Sequence, residues 1–295
     1  MPRGCQYVPV RRVSDESARI ERLNRRARER GPSPVLYAVM RALLAPAFRL
    51  WFRPRINGAE HIPREGPAIL APNHKSFLDA FFIAIATRRH VRFMAKVELF
   101  GGVLGWLFVR LGAFPVRRGE ADVEALQTAR LILEQGGLLV IFPEGTRIEE
   151  RDALGSPHHG AGRLALETHA PIVPAAIAGT GRLWLGPIAK PQRVRLSFLE
   201  PIDPRELIDE PDALTRLVDE LVWPAVRREY GNQLARPGLV LTALAAIGIG
   251  AGLAARRRAG ADTRLLGVMG PGNVRRRQAR QRRLERLRGL VRQRR

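Results

Sequence analysis

Cysteine is nearly absent from this 295-residue chain: Cys5 stands alone, so an intrachain disulfide is excluded. Cys5 also sits in a basic N-terminal stretch without a matching histidine, which rules it out as an activated nucleophile. Aromatic residues make up only 6%, too few to suggest the stacking platforms of proteins that bind single-stranded nucleic acid. The first 30 residues hold no apolar run of secretory length, and no internal repeat is visible. Metal-ligand spacing is missing as well. His158 and His159 are adjacent, and neighbouring residues rarely bind one ion together, so neither a metal nor another cofactor is expected. Acid is the last shortage, with 28 Asp and Glu against 50 Lys and Arg.

The resulting charge of +22 points to a polyanion, either nucleic acid or anionic lipid. Its distribution is uneven. Residues 1–30 carry a net +5, residues 31–255 only +4, and residues 256–295 +13. The middle of the chain is therefore close to neutral, and the 45% share of apolar residues over the whole chain suits a buried core. Residues 1–33 read as a basic, poorly structured segment. Residues 34–55 hold an apolar run interrupted by Arg41 and Arg49 and edged by Trp51 and Phe52, the pattern of an amphipathic helix lying in a membrane interface. Residues 237–255 form a second hydrophobic, transmembrane-like segment. Its 18 uncharged residues from 238 rise about 27 Å as a helix, and Gly248 and Gly252 permit close helix contact in lipid. Residues 256–295 are an Arg-rich tail suited to an anionic membrane surface, with nucleic acid or simple solvation as its rival readings.

Between these ends, residues 56–232 alternate short strands with helices. Strands are expected at 67–72, 91–95, 112–116, 138–142 and 171–177, and an edge or half-exposed strand at 193–198. Helices are expected after Ser76 and at 97–110, 120–135, 161–168 and 211–230. The fold class is α/β, a single domain built on a largely buried sheet.

Polar residues gather where these strands end. Asn73-His74-Lys75-Ser76-Phe77-Leu78-Asp79 leaves the first strand and opens a helix, the usual position for a site in an α/β fold. A carboxylate five residues after a histidine at such a junction can fix the ring tautomer and leave the other nitrogen as a base. Phe142-Pro143-Glu144-Gly145-Thr146-Arg147 leaves the clearest buried strand. Gly145 permits a tight turn, Thr146 and backbone N–H groups can cradle an anion, and Arg147 can clamp phosphate. Lys96 and Arg117 follow two more strands, so one anionic site at one end of the sheet is expected. Ser76 lacks the G-x-S-x-G elbow of a serine nucleophile.

Four blocks in order, Asn73-His74-x4-Asp79, Gly112-x4-Arg117, Phe142-to-Arg147 and Val173-Pro174-Ala-Ala-Ile177, resemble the glycerolipid acyltransferase family, specifically the bacterial 1-acyl-sn-glycerol-3-phosphate acyltransferases. The resemblance covers roughly residues 55–205. It implies that His74 deprotonates the sn-2 hydroxyl of lysophosphatidate with Asp79 orienting the ring. The hydroxyl oxygen then attacks an acyl-CoA or acyl carrier protein thioester directly, giving phosphatidate without an acyl-enzyme. It also implies that Lys96, Arg117 and Arg147 hold the acceptor phosphate, with Glu144, Gly145 and Thr146 shaping that pocket, at the cytoplasmic face of a bacterial plasma membrane. Ile148 replaces the small polar residue often found after the arginine, which bears on the acceptor. The same chemistry on another lysophospholipid, glycerol 3-phosphate or a glycolipid is the first alternative. A nucleic-acid-binding or membrane scaffold protein is the alternative of another class, and it leaves the ordered blocks unexplained.

Overall fold

Runs of small and branched apolar residues set the centre of the molecule. β2 (Ala68–Pro72), β5 (Leu138–Val140) and β6 (Ile172–Ala178) are buried at every position, as strands covered on both faces must be. In the computed structural model, residues 10–117, 122–150, 152–181, 183–185 and 188–235 are described, all within one α/β unit spanning Met1–Arg236. The hydrophobic segment 237–255, the Arg-rich tail and Cys5 lie outside the described residues.

A seven-stranded sheet runs β1-β9-β6-β2-β5-β3-β4, completed by β1 (Arg55–Asn57), β3 (Val91–Lys96), β4 (Ala113–Val116) and β9 (Arg195–Phe198). β7 (Trp184–Leu185) and β8 (Ile188–Ala189) form a separate pair, and α4 (Gly102–Arg110) and α7 (Ala213–Thr215) are shorter helices. All neighbours are parallel except β6 and β9. Side chains alternate between its faces. Ala68, Leu70, Val140, Val173 and Ala175 pack with Phe48, Phe52, Phe82 and Ile83 from α2 (Pro34–Phe52) and α3 (Asp79–Ala86). Ile69, Ala71, Leu139 and Ile172 pack on the other face with Ala129, Ile132, Leu133, Leu164 and Ala165 from α5 (Val123–Glu134) and α6 (Gly160–Thr168).

One point of the topology positions everything that follows. β2 and β5 are adjacent, yet the chain leaves β2 toward β3 on one side and leaves β5 toward β6 on the other. Loops from neighbouring strands that depart in opposite directions leave a crevice at the carboxyl ends of the strands. The His74 loop and the Glu144 loop are these two.

The structure departs from the sequence expectations in three places. Val10–Glu29 is a 20-residue helix, α1, where a poorly structured segment was expected. Ile20, Asn24 and Ala27 share one buried face, and the Arg92 side chain donates from β3 to the Ala27 carbonyl oxygen. β9, expected as an edge or half-exposed strand, lies inside the sheet between β1 and β6 and is largely buried. Its alternating polar residues are covered from above: Ser197 Oγ donates to Glu229 at 2.8 Å and accepts from Gln233 at 3.0 Å, both from α8 (Trp223–Ala235). The last helix runs beyond 230 to Ala235, and Arg216–Val222 within it is π-helical.

α2 occupies the range read as amphipathic. Ser33 caps its start with Pro34 in the first turn, and it ends at Arg53 in the left-handed region (φ 43°). Tyr37, Phe48 and Phe52 are buried against the domain, while Val35, Leu43 and Leu50 are 75%, 67% and 78% exposed. The helix is long and apolar enough to cross a membrane by length and composition.

Candidate active site

Asn73 anchors the first loop. Its amide donates to the Ile177 carbonyl oxygen at 3.0 Å and accepts from the Ile177 N–H at 2.7 Å, pinning the end of β2 to β6. The fourth sequence block thus serves the first, because Ile177 is the residue that Asn73 grips. His74 follows, nearly buried, with its ring stacked on Phe142 at 3.9 Å between centroids. His74 Nδ1 lies 2.9 Å from Asp79 Oδ2. The same carboxylate oxygen accepts the backbone N–H groups of Lys75 and Ser76, each at 2.7 Å. Asp79 is fully buried and opens α3, so three donors and the helix N-terminus hold its charge in place. With Nδ1 engaged as a donor, Nε2 is the nitrogen left to accept a proton. Ser76 Oγ accepts from Leu78 N instead of serving His74.

The second loop is tied to the first by a carboxylate. Glu144 Oε2 accepts from His74 N at 2.6 Å and Oε1 from Gly155 N at 2.8 Å. Burial raises the Glu144 carboxyl above its ordinary range, against the lowering effect of these two N–H donors and of Lys75. Ile148 N donates to His74 O at 3.0 Å, closing the junction. Gly145 adopts φ +66°, which favours glycine, and a Cβ there would stand 2.9 Å from the His158 ring, which would have to shift.

Beside this junction lies an open cleft of about 830 Å³. Lys96, Arg117, Glu144, Gly145, Thr146 and Arg147 all line it, as does Phe142, the ring on which His74 stacks. The structure therefore gathers three cations from the ends of three strands in one depression, next to the His74–Asp79 pair. Their settings differ. Lys96 pairs with Glu98 at 2.9 Å and is half exposed. Arg117 is held by its backbone N–H, which donates 2.8 Å to Asp122, the residue that also caps α5. Glu144 spends both carboxylate oxygens on backbone donors, so it shapes the cleft and gives an anion no donor.

Lys75 was not singled out by sequence reasoning. It is buried, and its ammonium donates to the carbonyl oxygens of Glu150 (2.6 Å) and Ala153 and lies 5.6 Å from the Tyr230 ring centroid. The only available signal was its rarity, as one of three lysines among 50 Lys and Arg residues. Among the described residues, no group of three or more His, Cys, Asp or Glu side chains gathers as a metal site. His159 instead faces Asp219 at 2.8 Å.

Comparison with known proteins places this geometry. A family model described as Acyltransferase matches residues 53–178. The chloroplastic 1-acyl-sn-glycerol-3-phosphate acyltransferase of Arabidopsis thaliana is 31% identical over 137 residues, 45% of this chain and 38% of that protein. The 1-acyl-sn-glycerol-3-phosphate acyltransferase of Bacillus subtilis is 30% identical over 127 residues, 42% of this chain and 62% of that protein. The chain thus spans less than two thirds of the length of these relatives. The fold is similar to that of the 1-acyl-sn-glycerophosphate acyltransferase PlsC from Thermotoga maritima, with a TM-score of 0.56 and 23% identity over 78% of this chain and 86% of that one. Residues 53–178, which carry both the His74–Asp79 pair and the Glu144 loop, match the acyltransferase family model.

Proposed function

We propose that the protein transfers an acyl chain from acyl-CoA or acyl carrier protein to the sn-2 hydroxyl of lysophosphatidate, forming phosphatidate. The observation that carries this reading is the oriented His74–Asp79 pair standing beside a cleft lined by Lys96, Arg117 and Arg147. A phosphate in the cleft is neutralised by these cations, and Arg147 can meet it with two parallel N–H donors. That anchor sets the acceptor hydroxyl against His74 Nε2. As the hydroxyl oxygen bonds to the thioester carbonyl carbon, its proton passes to Nε2 and the imidazolium is stabilised by Asp79. The tetrahedral intermediate then collapses, the C–S bond breaks, and the leaving sulfur takes the proton from His74 as free thiol. Charge, proton and acyl group all balance without an acyl-enzyme or a metal.

The partner surface in this reading is anionic lipid at the cytoplasmic face of a membrane. α2 supports it, since Val35, Leu43 and Leu50 face outward while Tyr37, Phe48 and Phe52 hold the helix on the domain. Arg41 donates to Thr87 O, and Trp51 Nε1 to Ala189 O at 2.7 Å, so the helix is moored along its length as an in-plane element.

The test is thiol release from acyl-CoA and from acyl carrier protein against an acceptor panel of lysophosphatidate, other lysophospholipids, glycerol 3-phosphate and glycolipid, with products identified by mass spectrometry. Lysophosphatidate should give phosphatidate at the highest kcat/KM. His74→Ala should lower kcat on the order of 10²–10⁴-fold, the range of a positioned base. Arg147→Ala should raise the acceptor KM about tenfold, roughly 1.4 kcal/mol. An unchanged rate in the first variant removes His74 as the base, and an unchanged KM in the second removes Arg147 from the anchor.

A further inference from the structure

Lys75 sits between the proton-transfer pair and a loop that no role above explains. The described residues 148–150 and 152–158 follow the Glu144 loop and meet it again: Ile148 N donates to His74 O at 3.0 Å at one end, and His158 N donates to Pro143 O at 2.7 Å at the other. Inside this return the Lys75 ammonium takes the carbonyl oxygens of Glu150 and Ala153, with the Tyr230 ring beside it. Leu154 packs on Ala176, Ala178 and Tyr230. Gly155 N, two residues beyond the second carbonyl, donates to Glu144 Oε1, whose other oxygen holds His74 N. The backbone N–H of Lys75 itself donates to Asp79 Oδ2. A closed circuit thus runs from Lys75 through Ala153–Gly155 and Glu144 to His74, and from Lys75 directly to Asp79.

We propose that Lys75 is a positioning residue: its ammonium clasps the 148–158 return, and through Gly155 and Glu144 it fixes the backbone on which His74 stands. This rests on the acyl-transfer reading of His74. The choice of lysine fits the site. In a chain whose basic residues are arginine at all but three positions, a compact ammonium with three rotatable donors fills a space between two carbonyls and a ring face, where a planar guanidinium fork does not. Charge adds to the fit, because Glu144, Glu150, Asp152 and Asp79 all surround it. Burial lowers the Lys75 pKa and raises that of Glu144, and each is the cation or anion that opposes the other's shift. The groups facing this cluster are His74, Asp79, Glu150, Asp152, Tyr230 and, across Gly145, His158.

The experiment compares the full-length wild type with Lys75→Met and Lys75→Arg by amide hydrogen exchange, without substrate, and by steady-state kinetics across pH. In Lys75→Met, amides of 148–158 should exchange at least tenfold faster while those of β2, β5 and β6 do not change. kcat should fall about tenfold with donor KM within twofold of wild type. The acid limb of the pH–rate profile should move to higher pH, because Glu144 loses its cation, takes a proton more readily and, once protonated, no longer holds both His74 N and Gly155 N. Lys75→Arg keeps the charge and should return the limb to its wild-type position, with exchange at 148–158 still faster than wild type. A residue that merely fills space would leave the limb unmoved in Lys75→Met. That result overturns the proposal, as does unaltered exchange at 148–158. If Lys75→Met does not fold, Lys75→Arg alone decides, and wild-type exchange at 148–158 in that variant overturns the clasp. Absence of acyl transfer by the wild type would sink the functional reading alone, since the exchange measurement needs no activity.

Discussion

Asp79→Asn is the sharpest test of how the site works. Asp79 Oδ2 accepts from three donors, His74 Nδ1 at 2.9 Å and the N–H groups of Lys75 and Ser76 at 2.7 Å, and the residue is fully buried. Asparagine has the same shape but no charge. With its carbonyl oxygen turned to the three donors the geometry survives; with its NH2 turned to them, donor meets donor. Hydrogen bonds to an ionised group contribute about 1.5–3 kcal/mol each, and neutral ones about 0.5–1.5. The two backbone bonds weaken alike in the ground and transition states, so the barrier rises by the attraction lost between the forming imidazolium and the carboxylate, roughly 3–4 kcal/mol for unit charges about 4–5 Å apart at an effective dielectric of about 20. At 1.36 kcal/mol per decade this lowers kcat on the order of 10²–10³-fold. The acceptor KM should stay within about twofold (~0.4 kcal/mol), because Asp79 does not line the cleft. Colorimetric thiol release measures both constants, with a background of only one protein thiol, Cys5. A circular dichroism spectrum matching wild type confirms the fold. A kcat within threefold of wild type in folded Asp79→Asn would refute the charge-stabilised base.

Other expectations follow from the same geometry. Gly145→Ala forces a left-handed alanine and a displaced His158, a penalty of about 1–2 kcal/mol; Tm should drop by roughly 2–8 °C, and an unaltered Tm in a thermal melt contradicts the strain. Glu144 binds its proton more tightly folded than unfolded, so its contribution to stability is present below its ordinary value of 4.5 and is lost as pH rises through the higher folded value. Glu144→Gln removes that loss, so in urea unfolding the stability of the variant relative to wild type should improve from pH 4 to pH 8; a difference independent of pH would count against it. Leu43→Glu with Leu50→Glu should weaken co-sedimentation with phosphatidylglycerol vesicles at least tenfold while thermal stability holds, and undiminished binding would remove α2 from the membrane surface.

Sheet and site were legible in the sequence to different depths, for physical reasons. β2, β5 and β6 are uncharged runs that can only be buried strands, and their loops advertised the site because polar residues at strand ends have few other uses. α1 was hidden by its charge: Ile20, Asn24 and Ala27 form a narrow buried stripe among arginines that dominate the composition. β9 misled through Arg195 and Ser197, since alternation signals a half-solvated strand unless another element supplies partners, as Glu229 and Gln233 do. The cleft cations Lys96, Arg117 and Arg147 could be named from their strands, but not the pairing of Lys96 with Glu98 or the grip of Asp122 on Arg117, which depend on side-chain approach. Lys75 and Asn73 were invisible as positioning groups because their partners lie 75 to 104 residues away.

The adjacency of β2 and β5 gives this arrangement its coupling. His74 stands on the loop after β2 and the cleft is walled by the loop after β5, so in the proposed reaction an acceptor phosphate would pull on one loop while its hydroxyl engages the other. Two loops from neighbouring strands could slide independently. Here Glu144 prevents it, because a single carboxylate receives His74 N from the first loop and Gly155 N from the second. Its burial makes that link expensive to ionise, and the ammonium of Lys75 offsets the expense from inside the same circuit. The His74 loop and the cleft therefore share one frame, on which the proposed binding and proton transfer would both depend. A perturbation of the frame, unlike one of the cleft rim, must change kcat before it changes the acceptor KM, and kinetics on Lys75 and Arg147 variants separate the two.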